Sequence, residues 1–144
     1  MTTYATLQDM LLRFDAAEMV CWTDTDGSAG AVVPAVFERA EADAAAIIDS
    51  HLQTGGYVLP LLHVPALLVG ICCDLARARL AEHNTTEVIT NREKLAYDLL
   101  KRIAEGKLKL GLPQEQAEAG HGSDEAVITS AGSVWARDKS KGFI

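Results

Sequence analysis

The architecture turns on Val64-Pro65-Ala66-Leu67-Leu68-Val69-Gly70-Ile71-Cys72-Cys73-Asp74-Leu75-Ala76-Arg77-Ala78-Arg79-Leu80. A helix is expected to open near Pro65 and run to about Glu82. From Leu67 to Cys73 it is apolar on every side, which marks a central, buried helix. Leu67, Leu68, Ile71, Cys72 and Leu75 are expected to be almost fully buried. The second half turns amphipathic, with Asp74, Arg77, Arg79 and Glu82 set toward solvent. The unbroken apolar run Val64 to Cys73 is about half a membrane span, so it reads as core.

Upstream, Thr6 reads as an N-cap with Asp9 at the third helical position, a variant of the capping box. Leu7, Met10, Leu11 and Phe14 follow on one helical face. Ala16 to Val20 could form a further short turn of helix, and Thr23 to Gly30 is a loop by composition. A second helix is expected from about Val33, with Pro34 tolerated in its first turn. Phe37, Ala40, Ala44, Ile47, Ile48 and Leu52 line one face of it, and Glu38, Glu41, Asp43 and Asp49 occupy much of the rest. Its alanines between residues 40 and 46 favour helix and allow close packing. Gly55-Gly56 stops it, and Tyr57 to His63 is an extended connector.

Downstream, His83 to Thr86 is a turn, and Thr86 can cap a helix carrying Val88, Ile89, Leu95, Ala96, Leu99, Leu100 and Ile103. Gly106 ends it, with Lys101 and Arg102 placed to favour the helix dipole. After Pro113 the periodicity is lost. The expected organisation is all-α: a compact bundle of about four helices over residues 1–112, a linker at 113–125, and a long extended C-terminal arm at 126–144.

Composition agrees with one globular unit. The chain has 144 residues, 49% of them hydrophobic, which excludes disorder throughout. Twenty acids against thirteen bases give net charge −7, whereas a non-specific nucleic-acid binder should be basic. The charge is uneven: residues 1–72 carry nine acids and two bases, while residues 73–144 carry eleven of each. No basic, apolar leader opens the chain. Cys21, Cys72 and Cys73 form no secreted disulfide framework, so a soluble protein made in a reducing cytoplasm is expected.

Signals for catalysis are weak. Asp24-Thr25-Asp26-Gly27 resembles the start of a calcium loop, but position 12 is Ala35 where a Glu is required. An Asx-type turn is the simpler reading. Cys72-Cys73 lacks the gap of a metal or redox motif, and Cys21, between Val20 and Trp22, is expected in the core. His51, His63, His83 and His121 show no zinc spacing. A pair such as Cys73 with His51 has no supporting motif. No catalytic residue, metal or cofactor is therefore expected, and no enzyme. Arg92 to Lys109 holds six bases against three acids: a solvated helix face, or a contact with an acidic partner or DNA.

The last segment carries Val134, Trp135, Phe143 and Ile144 behind a polar linker, with Arg137, Lys139 and Lys141 among them. Apolar anchors on an arm dock somewhere, either back on the chain's own bundle or on a neighbouring molecule. The second is favoured, and those seven residues are the candidate interface.

Several segments together resemble the phage Mu-type head–tail adaptor, or head-completion, family of phages and prophages. The opening Tyr4-Ala5-Thr6-Leu7-Gln8-Asp9-Met10 to Arg13-Phe14 is similar, as are Thr23-Asp24, Asp26-Gly27 and Ile48-Asp49-Ser50. The most specific stretch is Leu59-Pro60-Leu61 with Val64-Pro65-Ala66-Leu67-Leu68 and Cys73-Asp74-Leu75-Ala76-Arg77. Ile103-Ala104-Glu105-Gly106-Lys107, Leu110-Gly111, Trp135-Ala136-Arg137-Asp138 and Lys141-Gly142-Phe143 follow in order. The resemblance spares only about 113–130, and order and spacing carry it. It implies a structural virion protein at the capsid vertex, assembled in the host cytoplasm. Such adaptors form a ring with neighbouring copies, commonly twelve, beneath the portal protein and offer a surface to the next neck, stopper or tail protein. DNA passes through the channel without specific binding, and no membrane is involved. Two other classes stand beside it: a small helical-bundle DNA-binding regulator using Arg92 to Lys109, and a thiol enzyme.

Overall fold

The computed structural model describes residues 2–112. The linker 113–125 and the arm 126–144, with Val134, Trp135, Arg137, Lys139, Lys141, Phe143 and Ile144, lie outside the described residues, as does His121. Among the described residues every regular element is a helix, with α1 at Leu7–Arg13, α2 at Ala16–Thr23, α3 at Pro34–Thr54, α4 at Ala66–Leu80 and α5 at Glu87–Ala104. Five helices stand where about four were expected, because the short turn after α1 is a helix in its own right. Phe14 is extended and closes α1, and Asp15 starts α2 by accepting a hydrogen bond from the Ala17 N–H at 3.1 Å.

Local chemistry sets the other ends. Thr6 Oγ1 accepts from the Asp9 N–H at 3.2 Å, and Asp9 Oδ2 accepts from the Thr6 N–H at 2.8 Å, completing the capping box. Those bonds hold the Asp9 carboxyl below its ordinary range. Pro34 occupies the first turn of α3, where its missing N–H costs nothing. At the other end of α3 the Tyr57 N–H reaches back to the Leu52 carbonyl at 3.0 Å, with Gly56 at φ 79°. At the end of α5 the Lys107 N–H does the same to Arg102 at 2.9 Å, with Gly106 at φ 71°. Both are Schellman closures, and both need the left-handed region that glycine enters freely.

The core is built by α3, α4 and α5, with α1 and α2 laid against them. From α3 it takes Phe37, Ala40, Ala44, Ala45, Ile48 and Leu52. From α4 it takes Leu68, Ile71, Cys72, Cys73, Leu75 and Ala76, and from α5 Ile89, Ala96, Leu100 and Ile103. Met10 and Met19 are fully buried from the two short helices. No helix of the described residues is long and apolar enough to cross a membrane.

Five expectations need correction. Asp74 is not set toward solvent: its side chain is only 17% exposed, with Arg92 3.9 Å away. Leu67 is 38% exposed although its neighbours Leu68 and Ile71 are buried; α4 has packing partners on part of its circumference, and Leu67 falls outside them. Cys21 is exposed, because α2 turns Met19, Trp22 and Thr23 inward instead. Arg77 is not a solvated residue. Its side chain is only 13% exposed, and its guanidinium lies 4.4 Å from the centre of the Phe14 ring and 5.3 Å from that of Trp22. It ties α4 to both short helices and reaches Glu18 at 3.2 Å. Glu41 was placed on the polar side of α3, yet it is buried. The N-terminal segment covers it: the Tyr4 N–H donates to Glu41 Oε1 at 2.9 Å, and the Tyr4 hydroxyl donates to Asp49 one face further along.

Candidate interaction surfaces

The two acidic and thiol candidates resolve into structural roles. Asp24 accepts hydrogen bonds from the Ala29 and Gly30 N–H groups, the latter at 2.7 Å. Asp26 Oδ1 accepts from the Ser28 N–H and hydroxyl, which hold its carboxyl below the ordinary range. These carboxylates organise their own loop, as an Asx-type turn does. Burial pushes the Cys72 thiol far up and the Cys73 thiol up to about 11, so neither supplies a thiolate near neutral pH. His51 is part-buried, with Nδ1 2.8 Å from the Ile47 carbonyl, while His63 and His83 are exposed. Among the described residues, no group of three or more His, Cys, Asp or Glu could hold a metal ion.

The basic stretch of α5 and its exit is a mixed surface. Lys94, Lys101, Arg102, Lys107 and Lys109 are exposed. Lys107 Nζ lies 2.7 Å from Glu105, whose carboxyl it holds below the ordinary range, and Arg92 lies 3.9 Å from Asp74. Bases and acids interleave here, which is the pattern of a solvated helix face.

Concave surfaces among the described residues include three with apolar walls. Between α4 and α5 a groove of about 260 Å³ is lined by Leu67, Gly70, Leu95 and Leu99, with Arg13, Asp74 and Arg92 at its edges. Leu67 and Leu95 are both among the exposed large apolar residues. At the C-terminal end of α3 a second pocket, about 210 Å³, lies between Tyr57, Ile103, Leu110 and Leu112, where the described chain ends. At the opposite end of α3 a cleft of about 400 Å³ opens between the N-terminal segment and the helix start, walled by Ala5, Leu7, Pro34 and Phe37 and by the carboxylates Glu38 and Glu41. Periodicity could not find this cleft. It forms because residues 3–7 cross α3, a tertiary contact whose one local signal is Tyr4, an aromatic just ahead of a helix cap.

Further exposed apolar residues stand outside these clefts. Leu62 is 87% exposed and Leu12 76%, and Val58 and Val88 are also open to solvent. They are spread over α1, the connector before α4 and the start of α5.

Comparison with known proteins supplies the lineage. The family model described as "Bacteriophage Mu, Gp36" matches residues 4–129. The chain is 35% identical over 146 residues to the Mu-like prophage FluMu protein gp36 of Haemophilus influenzae, with all of both chains covered. It is 36% identical over 141 residues to gene product J of Escherichia phage Mu, covering 98% of this chain and 99% of that one. The match runs through the N-terminal segment, the five helices and the segment after them, and on that ground the chain belongs to the bacteriophage Mu Gp36 family.

Proposed function

We propose that this chain is a structural head–tail connector of a Mu-type phage or prophage. It forms a ring with copies of itself beneath the portal, extends the DNA channel, and presents a surface to the next neck or tail protein. The observation that carries the reading is the combination of end-to-end family membership with a small helical bundle that leaves Leu12, Val58, Leu62, Val88 and Leu95 largely uncovered. In a ring subunit such residues are available for burial against neighbouring copies. The role is structural and not catalytic, in keeping with loop carboxylates and buried thiols that serve the fold. An acidic chain also suits a channel wall along which DNA must slide and not adhere.

The C-terminal arm carries the contacts with the portal or an adjacent copy through Val134, Trp135, Arg137, Lys139, Lys141, Phe143 and Ile144. Many weak arms around one ring add by avidity. The test is interruption of the gene in an inducible lysogen. Lysates should then hold DNA-packaged heads and separate, complete tails, and supplying the chain in trans should restore infectious particles. Normal virions in the interrupted strain overturn the reading.

A further inference from the structure

The cleft at the start of α3 has the Glu41 carboxylate at its floor. Glu41 is 8% exposed, yet no ion pair among the described residues includes it. Its Oε1 accepts the Tyr4 N–H at 2.9 Å and lies 3.9 Å from the Cys72 thiol, while Oε2 takes no hydrogen bond among the described residues. Oε2 faces the open cleft, and a largely buried carboxylate gains from a cation that enters beside it. The cleft it lines is otherwise apolar on one wall, through Ala5, Leu7, Pro34 and Phe37, with Glu38 exposed at the rim.

The sequence beyond the described residues holds the complement. In Trp135-Ala136-Arg137-Asp138-Lys139-Ser140-Lys141-Gly142-Phe143, every aromatic and every cation stands at an odd position. Laid out as an extended strand, such a stretch puts Trp135, Arg137, Lys139, Lys141 and Phe143 on one side and Ala136, Asp138, Ser140 and Gly142 on the other. That is a basic stripe bounded by two aromatic rings, matched to an acidic cleft with an apolar wall.

The positions of exit and cleft suit a contact between copies, as the ring reading requires. The described chain ends at Leu112 beside Tyr57, at the C-terminal end of α3, and the cleft lies beside Pro34 and Phe37 at its N-terminal end. The 21 residues of α3 separate the two by roughly 30 Å at 1.5 Å per residue. A donor at one end and an acceptor at the other is a head-to-tail arrangement, the kind that closes into rings. A stretch of the length from Leu112 to Trp135 covers roughly 25–30 Å or more, so it is long enough for a contact at that distance on an adjacent copy.

We propose that the cleft between the N-terminal segment and α3 receives the Trp135–Phe143 stretch of a second copy of this chain, with Arg137 paired to Glu41 and Trp135 seated on Pro34 and Phe37. The inference rests on the ring reading and names the contact that links its subunits. The full-length chain carrying p-benzoylphenylalanine in place of Trp135 tests it. Light and ¹⁵N-labelled protein are mixed, irradiated, and the cross-linked peptides sequenced by mass spectrometry. The expected product joins position 135 to residues 34–41 in mixed-isotope pairs. Pairs of one isotope only make the arm a strap on its own bundle and overturn the proposal. So do cross-links to the groove between α4 and α5, or no cross-link at all. Arg137→Glu should cut the mixed-isotope yield at least tenfold, and Glu41→Gln, which keeps an acceptor for the Tyr4 N–H, should lower it likewise; an unchanged yield from either variant in a folded chain also overturns the pairing. If the cross-link forms but the chain is absent from phage particles, the inference stands and the connector reading fails. If the chain is found in the neck with no such cross-link, the reverse holds.

Discussion

Replacing Arg77 separates three interactions that meet at one guanidinium. The group lies 4.4 Å from the Phe14 ring and 5.3 Å from the Trp22 ring, with Glu18 at 3.2 Å. Arg77 is mostly buried, so the nearer ring contact should contribute about 1–2 kcal/mol and the farther about 0.5–1 kcal/mol. The Glu18 side chain is 48% exposed, which limits the ion pair to about 0–1 kcal/mol. Against these stands the buried Arg77 Nε, which has no hydrogen-bond partner and costs about 1 kcal/mol or more. The net expectation for Arg77→Ala is a loss of about 2 kcal/mol. Arg77→Met, which keeps the stem on the rings and drops the charge, should cost about 1 kcal/mol, and Glu18→Ala less than about 0.5 kcal/mol. Urea unfolding followed by far-ultraviolet circular dichroism reads all three, each kcal/mol moving the urea midpoint by roughly 0.3–1 M. If Glu18→Ala costs as much as Arg77→Ala, the ion pair dominates and the argument from the rings is refuted. If Arg77→Met matches the parent, the cation contributes nothing there.

Other outcomes follow from the same geometry. Leu68→Ala, at a fully buried site on α4, should cost about 2–5 kcal/mol, checked by the same unfolding curves; a loss under 1 kcal/mol would place α4 outside the core. A thiol reagent at pH 7.5 should label Cys21 promptly in the native chain and Cys72 and Cys73 only after unfolding, so Cys21→Ser should leave almost no fast phase. Burial raises the Asp74 carboxyl, with Arg92 opposing, so the folded state holds its proton more tightly than the unfolded one. The stability this gives is fully present below the ordinary carboxylate range and is lost as pH rises through the raised value. Asp74→Asn should therefore be more stable than the parent at pH 7, with the gap closing by about pH 3.5, and a gap unchanged across that range removes the explanation. A chain ending after Leu112 should keep its helical circular dichroism and a cooperative transition while failing to restore infectivity in the gene-interrupted strain.

Much of the bundle was legible because its signals are local. Thr6 with Asp9, Pro34, Thr86, Gly56 and Gly106 mark helix ends by hydrogen-bond chemistry that depends on a few neighbouring residues. The buried face of α3 follows from the spacing of Phe37, Ala40, Ala44, Ile48 and Leu52. The misreadings have a shared cause in tertiary contact. Leu67 belongs to an apolar run that covers the whole circumference of α4, and the run alone does not say which side lacks a neighbour. Arg77 is drawn inward by two aromatic rings that precede it by more than fifty positions. Glu41 is buried by Tyr4, and its interest as a site arises only when the N-terminal segment crosses α3. The residues chosen from sequence as the interface all fall in the arm, while the concave surfaces of the bundle, the Glu41 cleft and the groove beside Leu67 and Leu95, are products of packing.

The connector role is tested most directly by cryo-electron microscopy of intact particles of the phage that encodes this chain, reconstructed at the portal vertex. The account predicts a ring of five-helix subunits directly beneath the portal, with the polypeptide identified by side-chain density along α3 and α4. A neck in which every ring is accounted for by other polypeptides, with this chain absent from the purified particles, would contradict it.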